Sequence, residues 1–132
     1  MTGAAGAAGA AGAGAGPVDV TDRTVGPVLA APRAALILTR AGCGPCAAYR
    51  AEVAALLAQG KLDGIAVGTL ALDRPGASRF KRANPWLAGL RYLPHTVLYR
   101  RGQRVDSFAA SKGAYLLERT AAAFGPSPVG PA

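Results

Sequence analysis

Acidic side chains are scarce in this chain: seven Asp and Glu stand against fifteen Lys and Arg, leaving a net charge of +8. There are two cysteines, one histidine and one tryptophan in 132 residues. A closed structural zinc site takes four ligands, so two cysteines and one histidine would need a partner to complete it. A network of disulfides is excluded on the same count. No apolar run approaches the roughly 18 residues needed to cross a bilayer. The N-terminus lacks both the cationic start and the strongly apolar centre of a secretory signal, so the expected compartment is the cytoplasm. Structural disulfides are rare there, which points two closely spaced cysteines toward catalysis or metal binding. Large apolar side chains are also few. Much of the 51% hydrophobic content is alanine, so the core must lean on a modest set of Leu, Ile, Val and aromatic residues.

After Met1-Thr2, residues 1–16 are almost entirely Ala and Gly, a composition that reads as a flexible tail. The closing GPSPVGPA, residues 125–132, cannot continue a helix and reads as a second tail. Between them, residues 17–124 have the size of one small domain. Val18–Val20 alternates like a strand, and Thr21 is placed to cap a short helix through Leu29, with Pro27 late within it. Ala34–Thr39 is a continuous apolar run, the pattern of a strand buried on both faces. Tyr49, Val53, Leu56 and Leu57 recur at helical spacing within Ala47–Ala58, and Gly60 stops that helix. Ile65–Leu72 reads as a second buried strand closed by Asp73-Arg74-Pro75-Gly76. Ser78–Ala83 is a short basic helix ended by Asn84-Pro85. Thr96–Arg100 and Arg104–Phe108 form a hairpin around Arg101-Gly102-Gln103, and Ser111 is placed to cap a last helix. The order is β-α-β-α-β-α-β-β-α, with no internal repeat.

The two cysteines fall at the junction of the central strand and the long helix, as Cys43-Gly44-Pro45-Cys46. Side chains three apart share a helix face, so the two thiols can close a disulfide on one turn and open it without moving the backbone. A bridge over so short a loop stabilises little by chain entropy, which again favours chemistry over scaffolding. An idle dithiol and half of a zinc site are the other readings of the pair.

Together with Leu93-Pro94 and a following hairpin, this motif in this order of elements resembles thioredoxin. The likeness covers nearly all of residues 17–124. VDVTDRTV resembles the family's opening strand and helix, and LALDRPG its third-strand-to-helix turn. YLPHTVLYRRGQRV is similar to its cis-proline segment and terminal hairpin, and ASKGAYLLERTAAAF to its last helix. The resemblance implies an α/β thioredoxin fold with a central mixed sheet of four to five strands and helices on both faces. It makes Pro94 the cis-proline that lies against the dithiol, in a loop that pairs with an extended substrate peptide. It implies that Cys43 caps the helix as the attacking thiolate, that Gly44 leaves it accessible, that Pro45 shapes the first turn, and that Cys46 resolves. Gly42, Leu93, His95 and Ala109 become candidates for the substrate groove.

Several positions depart from the family pattern. Gly42 replaces the Trp before the first cysteine, and Ile37 replaces the buried acid that serves the second thiol. Ala47 replaces a Lys, Ala51 a helix-kinking Pro, and Ala109 a groove Gly. The chain therefore resembles a divergent thioredoxin. His95 is either a substitute proton acceptor or a strand residue with a satisfied hydrogen bond.

The resemblance implies a protein-disulfide reductase with no bound cofactor. Its Cys43–Cys46 disulfide is the redox group, drawing on NADPH indirectly through a thioredoxin-reductase-like donor. The expected partners are disulfide-bearing proteins, and a monomer is the expected state. Arg74, Arg79, Lys81, Arg82, Arg91, Arg100, Arg101 and Arg104 form a stretch free of Asp and Glu. That stretch suggests acidic partners, or only a solvated surface of biased composition. The alternative function is a binding module of the same fold whose basic face, Arg74–Arg104, holds an acidic protein or, less in keeping with the fold, nucleic acid, without redox turnover.

Overall fold

The computed structural model describes residues 16–125; the tails read at 1–16 and 125–132 lie outside the described residues apart from Gly16 and Gly125. The strands are β1 (Val18–Asp19), β2 (Ala34–Thr39), β3 (Ala66–Ala71), β4 (His95–Arg100) and β5 (Gln103–Ala109). The helices are α1 (Val25–Ala30), α2 (Gly44–Ala58), α3 (Ser78–Ala83) and α4 (Gly113–Phe124), with 3-10 turns at Pro75–Ala77 and Pro85–Gly89. They form one five-stranded mixed sheet in the order β1-β3-β2-β4-β5.

β2 lies at the centre, parallel to β3 and antiparallel to β4. Ala34 through Leu38 have no exposed surface, which a run without a single polar side chain permits. Strand alternation divides them between two cores. Ala34, Leu36 and Leu38 join Val25, Phe80 and Leu87 on the α1 and α3 side. Ala35 and Ile37 join Tyr49, Val53, Leu116 and Phe124 on the α2 and α4 side. Each large side chain buried here contributes roughly 1.5–3 kcal/mol relative to exposure.

The β4–β5 turn consists of Arg101 and Gly102, both at positive φ (49° and 86°), as a two-residue hairpin turn with the twist of its strands requires. Arginine is unusual there. The amides of Arg101 and Gly102 donate to the carbonyls of Ala31 and Leu29 at 3.0 and 2.7 Å, which holds the turn against the end of α1.

Two helix starts differ from the sequence expectation. α1 begins at Val25 rather than directly after Thr21; the Thr21 hydroxyl accepts from Arg23 N–H and its carbonyl from Val25 N–H, closing a preceding turn. Ser111 does not cap α4. Lys112 occupies the cap position without a side-chain bond, and the Gly113 amide instead donates to Glu52 Oε1 of α2 at 2.6 Å. A carboxylate at that end also opposes the helix dipole favourably. The approach is close: a Cβ on Gly113 would lie 3.0 Å from Leu56 Cδ1. A cap borrowed from another helix leaves no local sequence signature.

Glu52→Ala should destabilise the oxidised protein by about 1–2 kcal/mol, and Ser111→Ala by less than about 0.5 kcal/mol, in urea unfolding. Equal losses would show that α4 is capped locally after all. A second expectation concerns acid. Arg119 donates to both oxygens of Asp106, from Nε at 2.8 Å and Nη2 at 2.5 Å, and these bonds hold the Asp106 carboxyl below the usual carboxylate range against the opposing effect of burial. That stabilisation is full above an unfolded value of about 3.9 and is lost as pH falls through the lower folded value. The stability gap between the parent and Asp106→Asn should therefore narrow as pH falls from neutral toward and below that range.

Candidate redox site

β2 ends at Thr39 and feeds a short turn, whose Ala41 amide donates to Asp73 Oδ2 at 3.1 Å and so ties the turn to the end of β3. Gly42 follows at φ 71°, a left-handed conformation that a side chain rarely adopts, and the space where its Cβ would stand is empty. Cys43 is extended (φ −94°, ψ 105°) and is the N-cap of α2, with Gly44 and Pro45 as the first helical residues. Its carbonyl accepts from Ala47 N–H at 3.2 Å, and its Sγ accepts from Cys46 N–H at 3.2 Å. Cys43 and Cys46 are joined as a disulfide with Cα atoms 5.2 Å apart, so the structure holds the pair oxidised. Gly44 and Pro45 are exposed, leaving open ground beside the buried sulfurs.

The Leu93–Pro94 peptide is cis. Leu93 O stands 3.9 Å from Cys43 Sγ, and the Pro94 carbonyl accepts from Ala110 N–H at 3.4 Å at the end of β5. The chain thus brings residue 93 against residue 43 by seating β4 beside β2.

A row of paired residues crosses the sheet beneath α2: Asp19, Thr69, Ile37, Thr96 and Phe108. Ile37 is fully buried at its centre, and both flanking threonines are buried. Each threonine is engaged by α2. Tyr49 Oη lies 3.1 Å from Thr96 Oγ1, while Arg50 donates to Thr69 Oγ1 and Asp19 Oδ1, both at 2.8 Å. Burial pushes the Tyr49 hydroxyl up to about 12, so it stays protonated at neutral pH. The only carboxylate in the row is Asp19, at the sheet edge. Burial acts to raise its pKa, but hydrogen bonds from Thr69 and Arg50 outweigh that and keep it ionised.

His95 cannot serve this row. Its neighbour Thr96 faces α2, so strand alternation turns His95 to the opposite side of the sheet. There its Nε2 lies 2.6 Å from Ser107 Oγ, and burial lowers its pKa, favouring neutral imidazole. His95 and Ala109 are cross-strand partners at the start of the hairpin, while Gly42 and Leu93 border the sulfurs.

The basic stretch does not form one face. Arg100 lies over Phe124 and donates to Ala123 O on the α4 side, whereas Arg104 stacks 4.2 Å over Trp86, which packs in the core on the other side. The amides of Arg79 and Phe80 are turned to Asp22. Sequence reasoning overlooked the paired threonines, although a lone Thr within each apolar strand is the signal that could have revealed them. Among the described residues no helix is long and apolar enough to cross a membrane, and no cluster of three or more His, Cys, Asp or Glu could hold a metal.

A disulfide capping a helix, faced by a cis X-Pro peptide from the neighbouring strand, is the arrangement of a thiol-redox fold. No protein-family model and no curated protein matches the chain by sequence. Solved structures do match in shape. Spinach chloroplast thioredoxin f in its long form is 21% identical, over 84% of this chain and 88% of that one, with a TM-score of 0.68. A variant thioredoxin from Halobacterium salinarum is 20% identical, over 91% and 100%, with a TM-score of 0.68. Thioredoxin f2 from a complex with ferredoxin:thioredoxin reductase is 16% identical, over 82% and 94%, with a TM-score of 0.67. The chain has the thioredoxin fold, with the Cys43–Cys46 pair at the active-site position of that fold.

Proposed function

We propose that the protein is a thiol–disulfide oxidoreductase that reduces disulfides in partner proteins. One observation carries this reading: Cys43 Sγ caps α2, bonded by the Cys46 amide and already linked to the Cys46 sulfur. In the reduced protein the same amide and the helix N-terminus favour a thiolate at Cys43. That thiolate attacks one sulfur of a partner disulfide. The Cys43–partner bond forms, and the partner's other sulfur leaves as a thiolate and takes up a proton. Cys46, deprotonated, then attacks Cys43 Sγ, closing the Cys43–Cys46 disulfide and expelling the partner's remaining thiolate. Two electrons pass to the partner, and a dithiol reductase returns them. The reductase complex containing thioredoxin f2, one of the similar structures, supports a donor of that class. The disulfide itself is the redox group, with NADPH acting only upstream of the donor. We place this cycle in the cytoplasm, where a labile disulfide has a catalytic use.

The alternative is a binding module that uses the basic stretch without redox turnover; within that stretch Arg100 and Arg104 are turned to opposite faces of the sheet. Cys43→Ser should abolish insulin reduction with dithiothreitol. Cys46→Ser should accumulate a mixed disulfide visible on a non-reducing gel. Equal alkylation of the two single variants at neutral pH would contradict the division of roles.

At the centre of the sheet row under α2 stands Ile37, so that position supplies no carboxylate to assist deprotonation of Cys46. Ile37→Asp would set a carboxyl between Thr69 and Thr96. It should raise turnover severalfold with little change in the Cys43 alkylation rate, at a stability cost of about 2–5 kcal/mol. Unchanged turnover would show that solvent already removes this proton fast enough.

A further inference from the structure

The buried residues of α2 fall on one stripe: Cys46, Tyr49 and Val53. Cys46 is 5% exposed and Tyr49 not at all, so the resolving sulfur and the tyrosine share a nearly dry environment. They stand three positions apart on one helix face. Helical side chains lean toward the N-terminus, so Tyr49 runs back toward the turn that carries Cys46. Its hydroxyl comes to rest 3.1 Å from Thr96 Oγ1. Thr96 is fully buried, pairs with Ile37, and lies three residues beyond Leu93, whose carbonyl meets Cys43 Sγ.

Two hydroxyls carry two hydrogens, and one bond joins them, so one hydrogen of this pair has no acceptor among the described residues. The surroundings offer little else to a thiolate. On this side of the sheet β2 contributes Ala35 and Ile37, β3 Val67, β4 Leu98 and β5 Phe108, all apolar. The polar groups nearby are committed. Thr69 is bonded to Asp19 and Arg50, and Arg50 also pairs with Asp19. Glu52 holds the Gly113 amide, Asp106 of β5 is bound by Arg119 of α4, and His95 lies on the opposite face.

Resting on the reductase reading, we infer that this spare hydrogen serves Cys46: once the disulfide opens, Thr96 donates to Tyr49 Oη and Tyr49 donates to the Cys46 thiolate. Tyr49 is then a catalytic residue of the resolving step, and Thr96 the positioning residue that fixes its hydroxyl. The Cys46 proton passes to water, and Tyr49 keeps its own. The thiolate forms its bond to Cys43 Sγ, and the partner's sulfur leaves with the electron pair of the broken bond. Burial pushes the Tyr49 hydroxyl up to about 12, so at neutral pH it donates and does not act as a base. A hydrogen bond to the charged form favours that form, which lets a buried sulfur ionise above an apolar strand.

The test mixes the reduced full-length protein with one equivalent of the symmetrical disulfide of thionitrobenzoate. Attack by Cys43 releases the first thionitrobenzoate in a second-order phase, and closure by Cys46 releases the second in a first-order phase. Tyr49→Phe keeps the ring and removes the hydroxyl. It should slow closure at neutral pH about tenfold and move its pH profile up by about one unit, with attack unchanged. Thr96→Val should slow closure severalfold, and Thr96→Ser should restore it. The Cys46 titration, followed by its Cβ carbon resonance in the reduced protein, should shift upward in Tyr49→Phe to the same extent. Either variant decides the matter should the other fail to fold. A closure profile and a Cys46 titration unchanged from the parent would overturn the proposal. Equal slowing of both phases with an unchanged titration would also overturn it, by leaving the pair a packing role alone. A parent protein that releases no thionitrobenzoate would instead refute the reductase reading, and the Cys46 titration would then decide the role of Tyr49 by itself.

Discussion

Everything in this molecule is arranged around one strand that water does not reach on either side. β2 is paired along both edges and packed on both faces, so no residue from Ala34 to Leu38 retains exposed surface. A strand in that position is apolar or must pay heavily for polar groups. Chemistry can therefore begin only where the strand ends. The chain does this by passing from Thr39 through a three-residue turn into α2, whose N-terminus offers unpaired amides to a sulfur.

The same constraint explains the polar design beneath the helix. With Ile37 at the centre of the sheet row, polar side chains stand one strand outward on each side, at Thr69 and Thr96. Both hydroxyls are buried, and both are satisfied by consecutive residues of α2, Arg50 and Tyr49. The helix bearing the cysteines is thus anchored to β3 and β4 by hydrogen bonds and to β2 by packing alone. Arg50 goes further, reaching Asp19 and the Pro17 carbonyl, and so holds the two-residue edge strand β1 that its own ladder would secure weakly. Rigid support for the sulfurs and an apolar strand below them come from one arrangement.

On the exposed side the balance is reversed. The cysteine turn is nearly bare, with glycine on each side of Cys43, and the character of the neighbourhood comes from segments remote in sequence. Asp73 steadies the turn, Leu93 approaches the sulfur, and the 3-10 segment after α3 walls a groove beside it. These loops shape the surface around the disulfide, while the helix end holds the sulfurs.

Much of this was legible in the sequence because it depends on local rules. The unbroken apolar run at Ala34–Leu38, the helical spacing of Tyr49 and Val53, and the hairpin around Arg101-Gly102-Gln103 (of which Gln103 already pairs with Arg100 in the sheet) each encode an element through its own periodicity or turn chemistry. Two cysteines three apart at a strand–helix junction encode a closable disulfide through helix geometry. Other features depend on which distant residues the folded sheet brings together. Glu52 displaces Ser111 as the cap of α4 because α2 and α4 pack side by side, sixty-one positions apart in sequence at the bond. His95 is denied the row under α2 because its strand is registered with Thr96 facing that side. Arg100 and Arg104, four positions apart in the basic stretch, are turned to opposite faces of the sheet because they lie on the two strands of a hairpin whose register decides what each side chain meets. Periodicity determines what a segment becomes; register and packing decide what its side chains meet, since those contacts form only when segments separated along the chain close against one another.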